Sequence, residues 1–184
     1  MALIAQSDLE ARLKRSLTAE EVSAFTIINT SLQNHVEDII GSATEAVSAT
    51  SRYFDGGVQH LQINPCTNIT SVELVDDDYT STYTYDTTDY TVEPVNKTLK
   101  RYLRHRSGAF VTGINNIKVT AKFSINEDTS VLNQVKDALL SALQAEIENK
   151  DNVKRESIEG YSIEFATTEA KNAIDKLYYL FPEV

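Results

Sequence analysis

Apolar residues recur at helical spacing near both ends of the chain and alternate with polar ones in the middle. Val22, Phe25, Ile28, Leu32, Val36 and Ile39 fall three or four apart, the period of an amphipathic helix. Thr18 and Glu21 have the form of a capping box at its start, Leu17 can staple onto Val22, and Gly41 supplies a stop. A shorter helix precedes it, with Leu9 and Leu13 inward and Arg12, Lys14 and Arg15 outward. There Ser7-Asp8-Leu9-Glu10 predicts Ser7 as the cap and Glu10 as its box partner. His35 lies near the apolar face of the long helix. With no second ligand at metal-binding spacing, it reads as a core-edge histidine.

From about Ala46 to Ile125 the texture changes to β. Residues 51–54 and 58–63 flank Asp55-Gly56-Gly57, the chemistry of a hairpin turn. A separate strand is expected from Thr67 to Val75, broken by Asp76-Asp77-Asp78. Tyr79 to Tyr90 is rich in Tyr and Thr, which suits strands with one wet face, and Tyr90 to Glu93 ends at Pro94. Ile117 to Phe123 alternates cleanly.

The helical period then returns. Asp128 or Thr129 caps a helix with Leu132, Val135, Leu139, Leu143 and Ile147 on one face. After it, Tyr161, Ile163 and Phe165 alternate with Ser162 and Glu164, a short strand entered through a turn at Gly160. Thr167-Thr168-Glu169 caps a last helix carrying Ala173, Ile174, Leu177, Tyr178 and Leu180, stopped before Pro182. The plan is an α+β chain. A helical core, 1–44 and 127–184, consists of an N-terminal helix pair and two C-terminal helices, and it carries a large antiparallel β insertion at 45–126.

Composition changes this picture in three ways. With 184 residues and 41% hydrophobic content, the chain suits a single domain. No stretch has the length of a membrane span, and Ala2-Leu3-Ile4-Ala5 is too short for a signal-peptide core. The single Cys66 permits no internal disulfide and reads as a buried or idle thiol. The net charge is −10, which weighs against generic nucleic-acid binding. Its distribution says more. Seven acids and no base lie between Cys66 and Glu93, and seven bases and no acid between Pro94 and Asn126. Adjacent stretches of opposite sign are what a self-complementary assembly needs.

Little in the chain points to catalysis. There is no GxGxxG, Walker loop, HExxH, paired CxxC or GxSxG, and no cofactor is expected. Asp76, Asp77 and Asp78 lack the alternation, glycine and distal Glu of an EF-hand, so they read as an exposed acidic turn. Lys97, Lys100, Arg101, Arg104 and Arg106 interleave with Tyr102 and His105, a composition shared with single-strand binders. In so acidic a molecule this stretch reads as a solvated or partner-facing surface.

The order of features resembles the head–tail connector, or adaptor, family of long-tailed bacteriophages. The resemblance is carried by the capped helix pair, Tyr53-Phe54-Asp55-Gly56, and the strand Thr70 to Leu74. Asp89 to Pro94, Asn116 to Thr120 and the closing turn Glu156-Ser157-Ile158-Glu159-Gly160-Tyr161 continue it. In that turn Glu159 stands before Gly160 and no acid follows, a departure from the family's Ser-Ile-Gly-Asp-Tyr-like pattern. The resemblance implies a non-enzymatic virion protein at the head–tail junction, assembled in the host cytoplasm. It would form a dodecameric ring beneath the portal protein, extend the DNA channel, and meet head-closure, stopper or tail proteins. DNA would pass through without sequence-specific binding, and no membrane is involved. The expected surfaces are Asp76 to Asp78 as a lumen or inter-subunit loop and Lys97 to Arg106 as an inter-subunit or partner-facing stretch. The last helix, with Lys171, Lys176, Tyr178, Tyr179 and Phe181, would dock on the portal. The rival reading is a small acidic interaction or regulatory module outside any virion, binding a partner through residues 97–106.

Overall fold

A computed structural model describes residues 3–148 and 168–181. Among these residues the chain is α+β, with four helices and six strands in antiparallel pairing. It divides into a helical unit, Met1–Ile40 with Ser130–Glu183, and a β unit, Gly41–Thr129.

The helical unit comprises α1 (Gln6–Leu13), α2 (Ala19–Ile40), α3 (Thr129–Glu148) and α4 (Thr168–Leu180). α1 starts two residues earlier than its Ser7 signal predicts. Asp8, not Glu10, reaches back: its carboxylate accepts from the Ala5 amide at 2.9 Å. Glu10 instead accepts from Gln6 Nε2 at 2.8 Å and from the Leu17 amide at 3.0 Å. That use of Glu10 ties the end of α1 to the entry of α2, so it is not free to cap its own helix. At the start of α2 the expected box is present. The Thr18 amide donates to Glu21 at 2.9 Å, and the Glu21 amide donates to Thr18 Oγ1 at 3.3 Å. Arg15 adds a two-pronged pair to Glu21, 2.8 Å on each arm. These contacts hold the Glu21 carboxyl down at about 2, with the Arg15 hydrogen bond the largest cause and the Thr18 amide next.

The buried face of α2 is Phe25, Asn29, Leu32, Val36 and Ile40. Ile40, rather than the expected Ile39, closes the stripe before Gly41 takes a left-handed φ of +69°. Buried Asn29 donates from Nδ2 to the Ile4 carbonyl at 3.0 Å, holding the N-terminal segment against α2. On α3, Val135, Leu139, Leu143 and Ile147 of the predicted face are buried and Leu132 is half-buried, with buried Ala138 and Ala142 beside them. Arg12 clamps α1 to α3 by donating to Gln144, Asp137 and Ser141 at 3.1, 2.7 and 2.8 Å. On α4, Ala170, Ala173, Ile174 and Leu177 are buried, and this helix packs on α2.

The β unit is organised by one long strand. The strands are β1 (Thr50–Phe54), β2 (His60–Val75), β3 (Ser81–Thr84), β4 (Tyr90–Glu93), β5 (Lys100–His105) and β6 (Ile117–Lys122). The order is β1-β6-β2-β5-β4, with β3 also on β2. β2 continues through Pro65-Cys66, where the pattern predicts two separate strands. Its first part pairs with β5, up to Cys66 opposite Lys100, and its second part pairs with β6 and β3. Proline cannot donate to a ladder, and the register shifts on both sides of this point. The strand therefore changes partners where its hydrogen bonding is interrupted.

The Asp55-Gly56-Gly57 hairpin does not form. β1 pairs with β6, Tyr53 opposite Lys118 and Phe54 opposite Ile117, so β6 lies between β1 and β2. The amides of Gly56 and Gly57 instead donate to Gly113 and Phe110, at 2.9 and 3.0 Å. Beneath the strands lies a core that includes Ile63, Val72, Leu103, Phe110, Ile117, Val119 and Phe123. β6 shows why: its residues alternate buried and half-buried along its length, as a half-buried strand must.

Candidate functional site

The three loops at one end of the β unit form its most distinctive surface. Residues 55–58, 76–80 and 108–116 are tied together by hydrogen bonds from backbone and side-chain groups. The Asn115 amide donates to Asp55 Oδ1 at 2.7 Å, and the Val75 amide to the Asn116 carbonyl at 2.9 Å. Asn116 also donates through Nδ2 to the Val111 carbonyl at 2.9 Å and accepts from the Gly56 amide at 3.0 Å. Glycine is required here for space. A Cβ on Gly56 would overlap the Val111 carbonyl oxygen, and one on Gly113 would strike the Asn116 side chain.

Onto this rigid frame the sequence places exposed apolar groups. Ile114 is 83% exposed, Val111 51% and Val58 45%. Tyr79, itself at positive φ, packs edge-on against Tyr53 with ring centroids 4.8 Å apart. Sequence reading puts Val58 at the start of a strand and misses Val111 and Ile114, which follow no helical or strand period. The dense glycines and asparagines around them were the available signal.

The acidic turn belongs to the same end. Asp76 is spent on its own loop, its Oδ1 accepting from the amides of Asp78 and Thr80 at 3.1 and 2.9 Å. Asp77 and Asp78 stand exposed beside it. Among the described residues no group of three or more His, Cys, Asp or Glu is placed to hold a metal ion.

The basic stretch does not form one surface. β5 alternates, so Arg101, Leu103 and His105 face one way and Lys100, Tyr102 and Arg104 the other. Leu103 is fully buried, and His105 packs edge-on against Tyr85 and Phe110. Arg101 on that face is half-buried, and burial lowers its pKa. On the other face Lys100 donates to the Pro94 and Val95 carbonyls at 2.9 and 3.1 Å. Arg104 lies 3.9 Å from Glu93, and Arg106, just past the strand, donates through Nε to the Tyr90 carbonyl at 3.2 Å. Lys97 is exposed on the turn before β5.

Part of the charge complementarity between residues 66–93 and 94–126 is also spent within one chain. Besides Glu93 and Arg104, Glu73 meets Lys118 at 3.1 Å, because β2 and β6 set those residues opposite each other. The Glu73 carboxyl is held below its ordinary value, first by the Ser71 hydroxyl and then by Lys118, against the opposing effect of burial.

On α4, Lys171 and Lys176 are exposed, Tyr178 is 41% exposed and Tyr179 89%. Phe181 is buried, at 3% exposure, and belongs to the core rather than to a docking face. The closing turn Glu156, Ser157, Ile158, Gly160 and Tyr161 lies outside the described residues. Cys66 is buried and burial pushes its thiol up to about 12, which leaves it protonated and poorly nucleophilic at neutral pH. No described helix is long and apolar enough to cross a membrane.

No protein-family model matches the chain, and no curated protein does. Among solved structures, a chain from the neck of an empty gene transfer agent particle, computed with C6 symmetry, aligns with a TM-score of 0.49 and 12% identity. That alignment covers 95% of this chain and 88% of that one. A chain from the virion of a native gene transfer agent particle aligns with a TM-score of 0.41 and 18% identity, covering 87% and 78%. Neither likeness fixes a family for this chain.

Proposed function

We propose that the chain is a structural virion protein that forms a ring beneath the portal, extends the DNA channel and joins the capsid to head-closure or tail proteins. The observation that carries this reading is the order of features along the chain. A helical unit assembled from both ends of the chain, with a β unit between them, is the plan that the connector-like motifs call for. In this reading the ring contacts are made by rigid loops and exposed side chains. The acidic surface repels the phosphate backbone, so DNA slides through without sticking.

The rival reading, a regulator that grips its partner through residues 97–106, loses support from the geometry. Lys100, Arg104 and Arg106 are engaged within the chain, and Arg101 is half-buried. The test is the native mass of purified protein, alone and mixed with its portal protein. A closed ring, or a complex with the portal, supports the reading. A stable monomer that binds DNA at low salt favours the regulator.

A further inference from the structure

We propose that the apolar loop end of the β unit docks a second copy of this chain, receiving the turn at residues 94–99 of its neighbour. This rests on the ring reading and names its subunit contact. Val58, Val111 and Ile114 stand exposed on adjoining loops, at 45%, 51% and 83%, and a cluster of exposed aliphatics rimmed by polar residues marks an interaction surface. Their loops are held by backbone hydrogen bonds and by glycines that admit no side chain. Such a surface is ordered before it binds, so docking costs little conformational entropy. Around it, residues 53–58, 75–80 and 107–117 contain four aspartates, Asp55, Asp76, Asp77 and Asp78, and no lysine or arginine.

The complementary surface is on the same chain. Residues 94–99 carry an exposed Lys97 and no acid, and at their tip Val95 is 63% exposed. Lys100 fixes the turn by donating to the Pro94 and Val95 carbonyls, so Val95 is presented as a rigid knob. The two surfaces cannot satisfy each other within one subunit. The turn sits at the start of β5. The loop end adjoins the other end of β5, where the His105 amide donates to the Gln59 carbonyl at 2.9 Å. A strand of this length separates the two by roughly 15–20 Å. Two different patches that mate only between copies make a heterologous contact, which closes into a ring or runs on as a filament. Val95 enters the space between Val58, Val111 and Ile114, and Lys97 faces Asp77 and Asp78.

The experiment compares the full chain with Ile114→Asp, Asp77→Lys/Asp78→Lys and Lys97→Glu by sedimentation velocity over a concentration series. Each altered side chain is exposed, and circular dichroism checks that each variant folds as the wild type does. Ile114→Asp is expected to weaken self-association about tenfold or more. The aspartate and lysine variants are each expected to weaken it, and their combination to recover toward wild type. Wild-type rings that survive Ile114→Asp, or charge variants whose combination shows no recovery, overturn this contact and leave the ring reading standing. A wild type that stays monomeric at every concentration, alone and mixed with portal protein, overturns both. A second outcome also overturns the contact: unchanged rings whose binding to a different virion protein is lost in Ile114→Asp assign the patch to that partner.

Discussion

Replacing Gly56 by alanine tests the loop frame at the point where it has least room. A Cβ at this position overlaps the backbone oxygen of Val111 and stands 2.8 Å from Asn116 Oδ1. A backbone atom cannot rotate away, so residues 55–58 and 110–113 must separate. Forcing an extra methyl into packed structure costs about 1–3 kcal/mol. Separation also weakens the bonds from Gly56 to Gly113 and from Gly57 to Phe110, at 2.9 and 3.0 Å, each worth about 0.5–1.5 kcal/mol. The expected destabilisation is therefore up to about 2–6 kcal/mol. For a chain of this size that lowers the melting temperature by about 4–24 °C. Gly108→Ala is the matched control. No atom lies within 4 Å of its Cβ, so the change stays within about 0.5 kcal/mol. Thermal melts of both variants, with hydrogen exchange at the amides of residues 56, 57 and 110, read the effect and its location. Equal melting of the two variants, with unchanged exchange at those amides, would refute the close approach of the two loops.

Other consequences follow from the helical unit. Leu139 is fully buried on α3, so Leu139→Ala should cost about 2–5 kcal/mol in chemical denaturation. A loss under about 0.5 kcal/mol would put that face in solvent. The Glu21 carboxyl is lowered from its ordinary 4.5 to about 2 in the folded chain. Its stabilising contribution is present above the unfolded value and disappears as pH falls through the folded one. Glu21→Gln should therefore flatten the acid limb of the stability profile between about pH 4.5 and 2, and an unchanged limb would mean that the capping contacts are not kept in solution. Tyr179, 89% exposed, should tolerate serine with unchanged melting, whereas Phe181→Ser, at a buried position, should lower it. Equal melts would contradict the burial of Phe181.

How far the sequence reveals this fold depends on how local each determinant is. The α2 cap, the α3 face and the β6 alternation are set by residues within a turn or two of each other, and all three are found where the pattern puts them. The β1–β2 hairpin failed for the opposite reason. Asp55-Gly56-Gly57 has the right local chemistry, but β6, some sixty residues on, takes the place beside β1, and the glycines serve its loop instead. Ser7 is not the cap because the helix starts at Gln6, with Ala5 at the cap position and Asp8, rather than Glu10, accepting from its amide. The basic run looked like one surface as a string of letters. As a strand it splits between two faces, and its members bond to carbonyls and to Glu93 that the linear pattern does not place nearby. Val111 and Ile114 follow no period at all, and only the fold brings them to the same loop end as Val58.

The central claim is ring formation beneath a portal, and the most direct measurement is negative-stain imaging of the purified chain, with native mass spectrometry, before and after mixing with portal protein. The account predicts closed rings of uniform subunit number, formed alone or on the portal. A chain that remains monomeric at every concentration and does not join the portal would contradict it.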